Sequence, residues 1–276
     1  MRQNIAVITG AGSGFGLATA GSLAARGYHV AMLDRDEPRL TQAASAVGLA
    51  HGTDVMARRV DVASIEDLDA AAAAVGAVHG HCDLLWANVG VQHFGAVETI
   101  SDDVWKWVLD VNVIGAVRTV RAFLPLLRAA GGGRIVFTAS ANALAPAARL
   151  GVYQASKYAL LGVAETLRIE LADEGIEVSV VFPSGMITRH LESSAAARPS
   201  HLGSGAVDDA DLLAMMASRP MTEADLTTAE IAAANAVEGV LAGEPVVITH
   251  GALDDAVAVQ QDRVRAALAR VAGRTA

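Results

Sequence analysis

Short apolar runs rich in β-branched residues alternate with longer alanine-rich stretches of helical periodicity along most of the chain. Runs that are apolar at nearly every position are typical of strands buried on both faces, and a helix between two such strands makes a right-handed crossover. The alternation therefore predicts an α/β protein with a doubly wound parallel sheet of about seven strands and helices on both faces. The predicted strands are Ile5–Thr9, Val30–Asp34, Arg58–Asp61, Leu84–Asn88, Arg134–Thr138, Glu177–Phe182 and Val246–Thr249. The predicted helices between them are Phe15–Arg26, Pro38–Val47, Ile65–Val78, Asp102–Ala129, Val152–Asp173 and Thr228–Leu241.

The chain has no linker composition and no internal repeat, so we expect residues 1–276 to form a single domain. Residues 189–225 break the alternation before the last strand, with Pro199, Gly203, Gly205 and Pro220 among scattered Leu and Met. We interpret this segment as a lid over the substrate. Apolar residues at helical spacing predict a C-terminal helix over 253–272.

Composition narrows the class of protein. Hydrophobic residues make up 53% of the 276 residues and charged residues 18%, which supports a large folded core. The net charge of −9, without a basic run, argues against partners such as nucleic acid or an anionic membrane. Cys82 is the single cysteine, and no apolar stretch reaches the length of a membrane helix. The sequence predicts a soluble, cytoplasmic protein.

No metal is expected. The one cluster with metal-ligand residues is His79, His81, Cys82 and Asp83, and it lacks a second ligand cluster.

A glycine-rich turn joins the first predicted strand to the first helix. Its candidate cofactor residues are Gly10, Gly12, Ser13, Gly14, Phe15 and Gly16. Glycines there allow a tight turn and close backbone approach to a phosphate, which the N–H groups of the helix start can bind. Asp34 ends the second strand eighteen residues later, where a carboxylate accepts hydrogen bonds from a ribose. Asp34 favours NAD, whereas the guanidinium of Arg35 leaves NADP as the alternative.

Four polar residues form a candidate catalytic set. Tyr153 and Lys157 are four residues apart in a helical pattern and share one face. A lysine cation stabilises a phenolate and lowers the pKa of a tyrosine, which makes Tyr153 a candidate acid/base. Ser140 ends a buried strand, where its hydroxyl can hold a substrate oxygen, and Asn112 is a candidate anchor for a relay water.

These motifs resemble the short-chain dehydrogenase/reductase family, in its compact, non-extended branch with a Rossmann-like sheet. The resemblance extends from Ile5 to about Thr188 and more weakly to Thr249. It implies hydride transfer, with Tyr153 as acid/base, Lys157 as its tuner and ribose ligand, Ser140 as carbonyl orienter and Asn112 as relay holder. Further cofactor residues implied by the resemblance are Asp61, Val62, Asn88, Val89, Gly90, Pro183, Gly185 and Thr188. Val89 stands where the family has alanine, and Ser184 stands where the family has glycine.

The substrate residues are predicted from their positions after strands and in the insertion: His93, Asn142, Met186, His190 and Leu191. Met186, Leu191, Leu202, Leu213 and Met216 give the insertion an apolar side, which suits an apolar substrate and exclusion of water. We therefore expect an NAD-dependent dehydrogenase of secondary alcohols or ketones. The alternatives are an NADPH-linked ketoreductase of lipid or polyketide type and a non-catalytic dinucleotide sensor. The resemblance also implies a homodimer or homotetramer, formed through the helices at 102–129 and 152–173.

Overall fold

Within residues 2–273, which the computed structural model describes, seven strands form one parallel sheet. Their order across the sheet is β3-β2-β1-β4-β5-β6-β9. The strands of the chain are β1 (Ile5–Thr9), β2 (His29–Asp34), β3 (Val55–Arg59), β4 (Leu84–Ala87), β5 (Gly133–Thr138), β6 (Ile176–Phe182), β7 (Gly185–Met186), β8 (Leu226–Thr227) and β9 (Val246–Ile248). β7 and β8 pair with each other in a separate small sheet. The predicted doubly wound parallel sheet is confirmed, and its winding direction changes between β1 and β4.

Helices cover both faces of the large sheet. They are α1 (Gly14–Ala24), α2 (Glu37–His51), α3 (Ile65–His79), α4 (Asp102–Leu109), α5 (Gly115–Ala130), α6 (Ala141–Leu144), α7 (Gly151–Glu170), α8 (His190–Ala197), α9 (Asp209–Ser218), α10 (Ala229–Leu241) and α11 (Asp254–Ala272). One core packs α3, α5 and α7 against the sheet, and the other packs α1, α2 and α10 against the opposite face. Every residue of β1 and β4 is buried, because both faces of these central strands are covered.

The third strand begins and ends earlier than predicted. β3 spans Val55–Arg59 rather than Arg58–Asp61, so that prediction was wrong by two to three residues. β3 lies at the edge of the sheet and is partly exposed, which weakens its apolar pattern. The chain leaves the sheet at Asp61, whose N–H donates to the carboxylate of Asp67 in α3 at 2.9 Å.

The long helix predicted over 102–129 is interrupted by a π-helical turn. α4 and α5 flank Asp110–Ile114, where the backbone bonds follow the wider π spacing. Such turns insert an extra residue into a helix and are frequent at functional sites. Asn112 lies inside this turn, and its side chain is completely buried.

The segment over 189–225 contains two short helices, α8 and α9, and leads into β8. Ser194 is the buried residue of α8, and α9 has none. Leu213 and Met216 are exposed, so the prediction that they form the apolar side of this segment is wrong. Met215, which lies on the opposite face of α9, lines a cavity instead.

Neither membrane-spanning nor metal-binding features occur in the part of the chain that the structure describes. Within residues 2–273, no helix is long and apolar enough to cross a membrane. Across the same residues, no three His, Cys, Asp or Glu side chains come together where they could hold a metal ion. The thiol of Cys82 is fully buried and donates to the carbonyl oxygen of Leu84, and burial raises its pKa to about 12. Cys82 is therefore an inert part of the core.

Candidate active site

A cavity of about 720 Å³ lies at the carboxyl ends of the strands. Its wall includes the turn after β1, the loop after β4, the start of α6 and residues of α7 and α8. Parallel sheets bind ligands at this edge, where the winding direction changes. Backbone turns therefore form one half of the cavity, and side chains of α7 and the 189–225 segment form the other.

The glycine-rich turn places every predicted residue on the cavity wall: Gly10, Gly12, Ser13, Gly14, Phe15 and Gly16. Gly10 and Gly14 have φ of +66° and +52°, which side chains disfavour. A Cβ at Gly16 would lie 2.1 Å from the carbonyl oxygen of Gly10, so only glycine fits there. The side chain of Ser13 makes no capping bond to α1. The N–H groups at the start of α1 are therefore not capped by Ser13, and they can donate to a phosphate instead.

Asp34 faces this turn from the end of β2. Its carboxylate accepts hydrogen bonds from the N–H groups of Gly12 at 2.9 Å and Asp36 at 3.0 Å. Arg35 is exposed and donates to the carbonyl oxygen of Ala197 at the end of α8. Both Asp34 and Arg35 line the cavity, together with the predicted Asp61 and Val62. This end of the cavity therefore offers a fixed carboxylate beside an exposed guanidinium group.

The loop after β4 forms the floor between the two halves. Asn88 donates from its N–H to Thr9 Oγ1 at 3.0 Å and from Nδ2 to the carbonyl oxygen of Gly10 at 3.3 Å. Val89 packs against the core below. A Cβ at Gly90 would lie 2.8 Å from Lys157 Nζ, so this glycine provides the space that Lys157 occupies.

Tyr153, Ser140 and Lys157 meet on the opposite wall. All three are buried and line the cavity. Lys157 Nζ donates to the carbonyl oxygen of Thr138 at 2.8 Å and lies 5.8 Å from the centre of the Tyr153 ring. Ser140 caps α6, because its Oγ accepts a hydrogen bond from the N–H of Asn142 at 3.2 Å. α7 and the end of β5 therefore bring the predicted phenol, hydroxyl and ammonium groups to one place.

The pKa of Tyr153 departs from the expectation. Burial raises the pKa of this phenol above its usual value of 10.0, and a hydrogen bond with Ser140 opposes that effect. Burial also lowers the pKa of Lys157 to about 8. Lysine was expected to lower the pKa of Tyr153, but in this structure desolvation is the larger effect on both groups.

Asn112 lies behind this wall rather than in it. Its Oδ1 accepts from the N–H of Val91 at 2.7 Å, and its Nδ2 donates to the carbonyl oxygen of Val91 at 2.8 Å and to Ser156 Oγ at 2.9 Å. Both amide hydrogens are thus used within the protein. The side chain of Asn112 ties the loop after β4 to α7, one residue before Lys157.

The loop after β6 closes the cavity above the glycine-rich turn. The carbonyl oxygen of Pro183 accepts from the N–H of Ala141 at 2.8 Å, which joins this loop to the residue after Ser140. A Cβ at Gly185 would lie 2.5 Å from the methyl carbon of Met221. The predicted Pro183, Gly185 and Thr188 all line the cavity. The structure therefore brings the predicted cofactor residues of the loop to the same cavity as the turn.

The predicted substrate residues divide into two groups. Asn142, Met186, His190 and Leu191 line the main cavity. His93 does not line the main cavity, although its neighbours Gln92 and Phe94 do, and its role as a substrate residue stays a prediction. Its Nδ1 lies 3.3 Å from Arg198 Nη1 in a separate small cavity. Burial and the charge of Arg198 lower the pKa of His93.

Several cavity residues escaped the sequence analysis. Arg39 stands near Asp34 at the cofactor end and forms an ion pair with Asp36. Arg219 donates from Nη1 to Asn142 Oδ1 at 2.9 Å and to the carbonyl oxygen of Ala145 at 3.0 Å. Further residues of this kind include Gln92, Phe94, Leu150, Arg189, Ser193, Met215, Met221 and Leu226. For Arg39, the sequence offered a signal, because Arg39 lies in the first turn of α2, shortly after Asp34 and Arg35. The sequence contains no such signal for Arg219, because its partners lie about 75 residues away in sequence.

Two curated proteins are similar in sequence to this chain. Dehydrogenase/reductase SDR family member 4 of Oryctolagus cuniculus is 33% identical over 184 residues, 66% of this chain and 70% of that protein. An uncharacterized NAD-dependent oxidoreductase of Mycobacterium tuberculosis is 30% identical over 92% of this chain and 97% of its own length.

Solved structures match over most of the chain. A short chain dehydrogenase/reductase from Burkholderia phymatum in complex with NAD is 30% identical, with a TM-score of 0.85 over 95% of this chain and 94% of that one. L-sorbose reductase from Gluconobacter frateurii, complexed with NADPH and L-sorbose, is 27% identical, with a TM-score of 0.76 over 92% of this chain and 97% of that one.

The family model described as short chain dehydrogenase matches residues 4–199, which include the glycine-rich turn, Tyr153 and Lys157. With this match over more than half of the sequence, the chain belongs to the short-chain dehydrogenase/reductase family of oxidoreductases.

Proposed function

We propose that this protein transfers a hydride between NAD and a secondary alcohol or ketone with a largely apolar body, with Tyr153 as the acid/base. The observation that carries the proposal is the meeting of Tyr153, Ser140 and Lys157 on one wall of a cavity whose other end is the glycine-rich turn. A phosphate at that turn and a reacting carbon at Tyr153 are the two contacts that a bound dinucleotide and its substrate require.

The residues have separate tasks in this mechanism. The Ser140 hydroxyl holds the substrate oxygen, and in the oxidation direction Tyr153 accepts the hydroxyl proton of the alcohol. A bound nicotinamide would supply the ring that accepts the hydride, the hydrogen and electron pair of the C–H bond at the carbon bearing that hydroxyl. Lys157, whose pKa is about 8, supplies positive charge beside the phenol and a donor for a ribose. Asn112 is a positioning residue, since it holds the loop after β4 against α7.

Asp34 supports a preference for NAD. Its carboxylate is fixed by two backbone N–H groups and remains able to accept from ribose hydroxyls, while its charge repels a 2′-phosphate. Arg35 and Arg39 line the same end and favour NADP as a second candidate. The ratio of kcat/KM for the two coenzymes decides between them. A ratio that favours NADP would mean that the guanidinium groups outweigh Asp34.

The substrate end of the cavity supports an apolar substrate. Met186, Leu191, Met215, Met221 and Leu226 lie on its wall. Thioether and aliphatic side chains of this kind adapt to irregular apolar ligands. We therefore expect kcat/KM to rise with chain length in a series of 2-alkanols. Faster turnover of small charged alcohols would contradict this part of the proposal.

The central experiment measures nicotinamide absorbance with a panel of secondary alcohols and ketones. Tyr153→Phe removes only the phenolic oxygen, and we expect kcat to fall by about 1,000-fold or more because general acid–base catalysis is lost. The Kd for NADH should stay within about two-fold, since only a proton-transfer group is removed.

Tyr158→Phe is the matched control, because Tyr158 lies on the same helix but is 52% exposed. Loss of activity in both variants would point to a structural effect instead. A wild-type protein that binds NADH tightly yet turns over no member of the panel would favour a dinucleotide sensor.

We also propose that the protein forms a cytoplasmic homo-oligomer through α5 and α7. Large apolar side chains are exposed in the turn before α5, at Ile114, and on α7, at Ile169, which is 80% exposed. Burying such residues against a second copy stabilises a symmetric interface. Light scattering after gel filtration tests the proposal, and Ile169→Asp should shift a dimer or tetramer towards smaller species.

A further inference from the structure

One buried polar atom near Tyr153 is without a hydrogen-bond partner. Among residues 2–273, the structure gives no partner to Nε2 of His190, which is closed off from water. Buried nitrogen and oxygen atoms in folded proteins are almost always paired, and an exception often marks a site that a ligand completes. His190 begins α8, and its ring forms part of the cavity wall.

The ring of His190 lies beside the catalytic group. The centres of the His190 and Tyr153 rings are 6.2 Å apart, and the two planes are tilted by 54°. Burial and the nearby charge of Lys157 lower the pKa of His190 to about 4, so the imidazole is neutral at pH 7. A neutral imidazole offers one nitrogen as a donor and the other as an acceptor.

We propose that α8, whose one buried residue is Ser194, shifts when the substrate enters, and that His190 Nε2 then binds a second oxygen of the substrate, one or two carbon atoms away from the carbon that reacts. This inference rests on the proposed function, which places the reacting oxygen at Tyr153 and Ser140. Because the two ring centres are only 6.2 Å apart, two neighbouring oxygens of one substrate can each reach one of the two side chains. The substrates favoured by this arrangement are vicinal diols and hydroxyketones with an apolar tail. A hydroxyl suits either tautomer of His190, because it both donates and accepts.

The experiment compares 2-octanol with 1,2-octanediol, which differ by one hydroxyl. We expect wild-type kcat/KM to be higher for the diol. In His190→Phe, which keeps a ring but removes both nitrogens, the diol-to-alcohol ratio should fall by about 10-fold or more, since a site built to bind a hydroxyl loses its partner. His190→Gln, which returns a donor and an acceptor near the position of Nε2, should restore part of the ratio.

His201→Phe is the matched control, because His201 belongs to the same segment but is exposed and outside the cavity wall. In this variant, the diol-to-alcohol ratio of kcat/KM should equal that of the wild type. A ratio in His190→Phe within two-fold of the wild type would overturn the inference, and so would an equal fall for both substrates. A 10-fold weaker Kd for NADH with an unchanged ratio would also overturn it, since the partner of His190 would then be the cofactor.

Binding separates this inference from the proposed function. Calorimetry measures 1,2-octanediol and 2-octanol against the complex with NADH, in which neither alcohol can be oxidised. Tighter binding of the diol in the wild type, and loss of that difference in His190→Phe, would support the role of His190 even if turnover were absent. Equal binding of both alcohols to the wild type would overturn it, whatever the outcome for Tyr153→Phe.

Discussion

The two halves of the cavity are built in different ways. At the cofactor half, side chains bond to the backbone of the glycine-rich turn: Asp34 accepts from the N–H of Gly12, and Asn88 Nδ2 donates to the carbonyl oxygen of Gly10. At the substrate half, side chains bridge distant segments: Arg149 pairs with Asp211 at 3.4 Å, and Ser218 Oγ accepts from the N–H of Ala148. The first half lies on buried strands, whereas α9 has no buried residue.

This difference determines how each half responds to change. Contacts through backbone tolerate few substitutions, because an added Cβ meets atoms that cannot move away. Contacts between side chains on a thinly packed segment can be lost singly, and the segment then shifts without unfolding the sheet. We therefore expect substitutions in the cofactor half to affect folding and cofactor binding together. Substitutions in the substrate half should affect substrate recognition alone.

The largest effect is expected for Gly16→Ala. The new Cβ would lie 2.1 Å from the carbonyl oxygen of Gly10 and 2.6 Å from Asn88 Nδ2. The turn must move to relieve this steric overlap, so we expect a loss of about 3 kcal/mol or more in the free energy of unfolding. Displacement of the phosphate-binding N–H groups should weaken NADH binding by about 100-fold. Fluorescence titration with NADH and urea denaturation check the two effects.

Gly162→Ala is the control for Gly16→Ala. Gly162 is in α7 and is exposed, and a Cβ added there would meet no atom of a neighbouring element within 4 Å. Alanine favours a helix over glycine, so this variant should gain about 1 kcal/mol of stability. Unchanged NADH binding by Gly16→Ala would show that the turn is not a cofactor site.

The same contrast explains what could be predicted from sequence. The cofactor half depends on local patterns: a strand, then glycines, then a helix, and an acid at the end of the next strand. Gly16 and Asp34 line the cavity because each position is determined by the strand and turn immediately around it. The parallel sheet was predictable for the same reason, since central strands such as β1 and β4 are apolar throughout.

The substrate half depends on contacts that no local pattern contains. Arg219 is fixed by Asn142 and Ala145, and the sequence around Arg219 carries no sign of either partner. Leu213 and Met216 were assigned to the wrong face because α9 packs through few residues, so that periodicity alone could not choose its orientation. The orientation of His93 could not be predicted either, because a loop histidine is oriented by a distant partner, here Arg198.

A smaller and more selective effect is expected for Arg219→Met. This variant loses the bonds to Asn142 and Ala145 and removes the cation 3.9 Å from Asp225. We expect the KM for the alcohol to rise by about 10-fold as the contact between the 189–225 segment and α6 loosens. The Kd for NADH should change by less than about two-fold, because the glycine-rich turn is untouched. Steady-state kinetics measure the KM for the alcohol, and fluorescence titration measures the Kd for NADH.

Arg265→Met controls for loss of an arginine. Arg265 is exposed and lies 4.0 Å from Asp262, an ion pair that contributes little in water. KM should therefore equal that of the wild type. If Arg219→Met weakens NADH binding as much as it raises KM, the two halves of the cavity are coupled and the comparison fails.

The smallest effect is a pH dependence of stability that comes from His190. Its pKa in the folded protein is about 4, below the usual 6.5 that the unfolded chain recovers. Between these values the unfolded state binds a proton that the folded state, with Tyr153 and Lys157 beside the ring, does not. Stability should therefore fall as the pH drops from about 6.5 towards 4, and His190 should account for about 1–2 kcal/mol of the loss at pH 5.

Urea denaturation at pH 7 and pH 5 should show a smaller loss of stability for His190→Gln than for the wild type. His201→Gln, which replaces an exposed histidine, should behave like the wild type. Equal losses in all three proteins would mean that the substrate half opens far enough to hydrate the ring, and that its packing contributes even less than the comparison with the cofactor half implies.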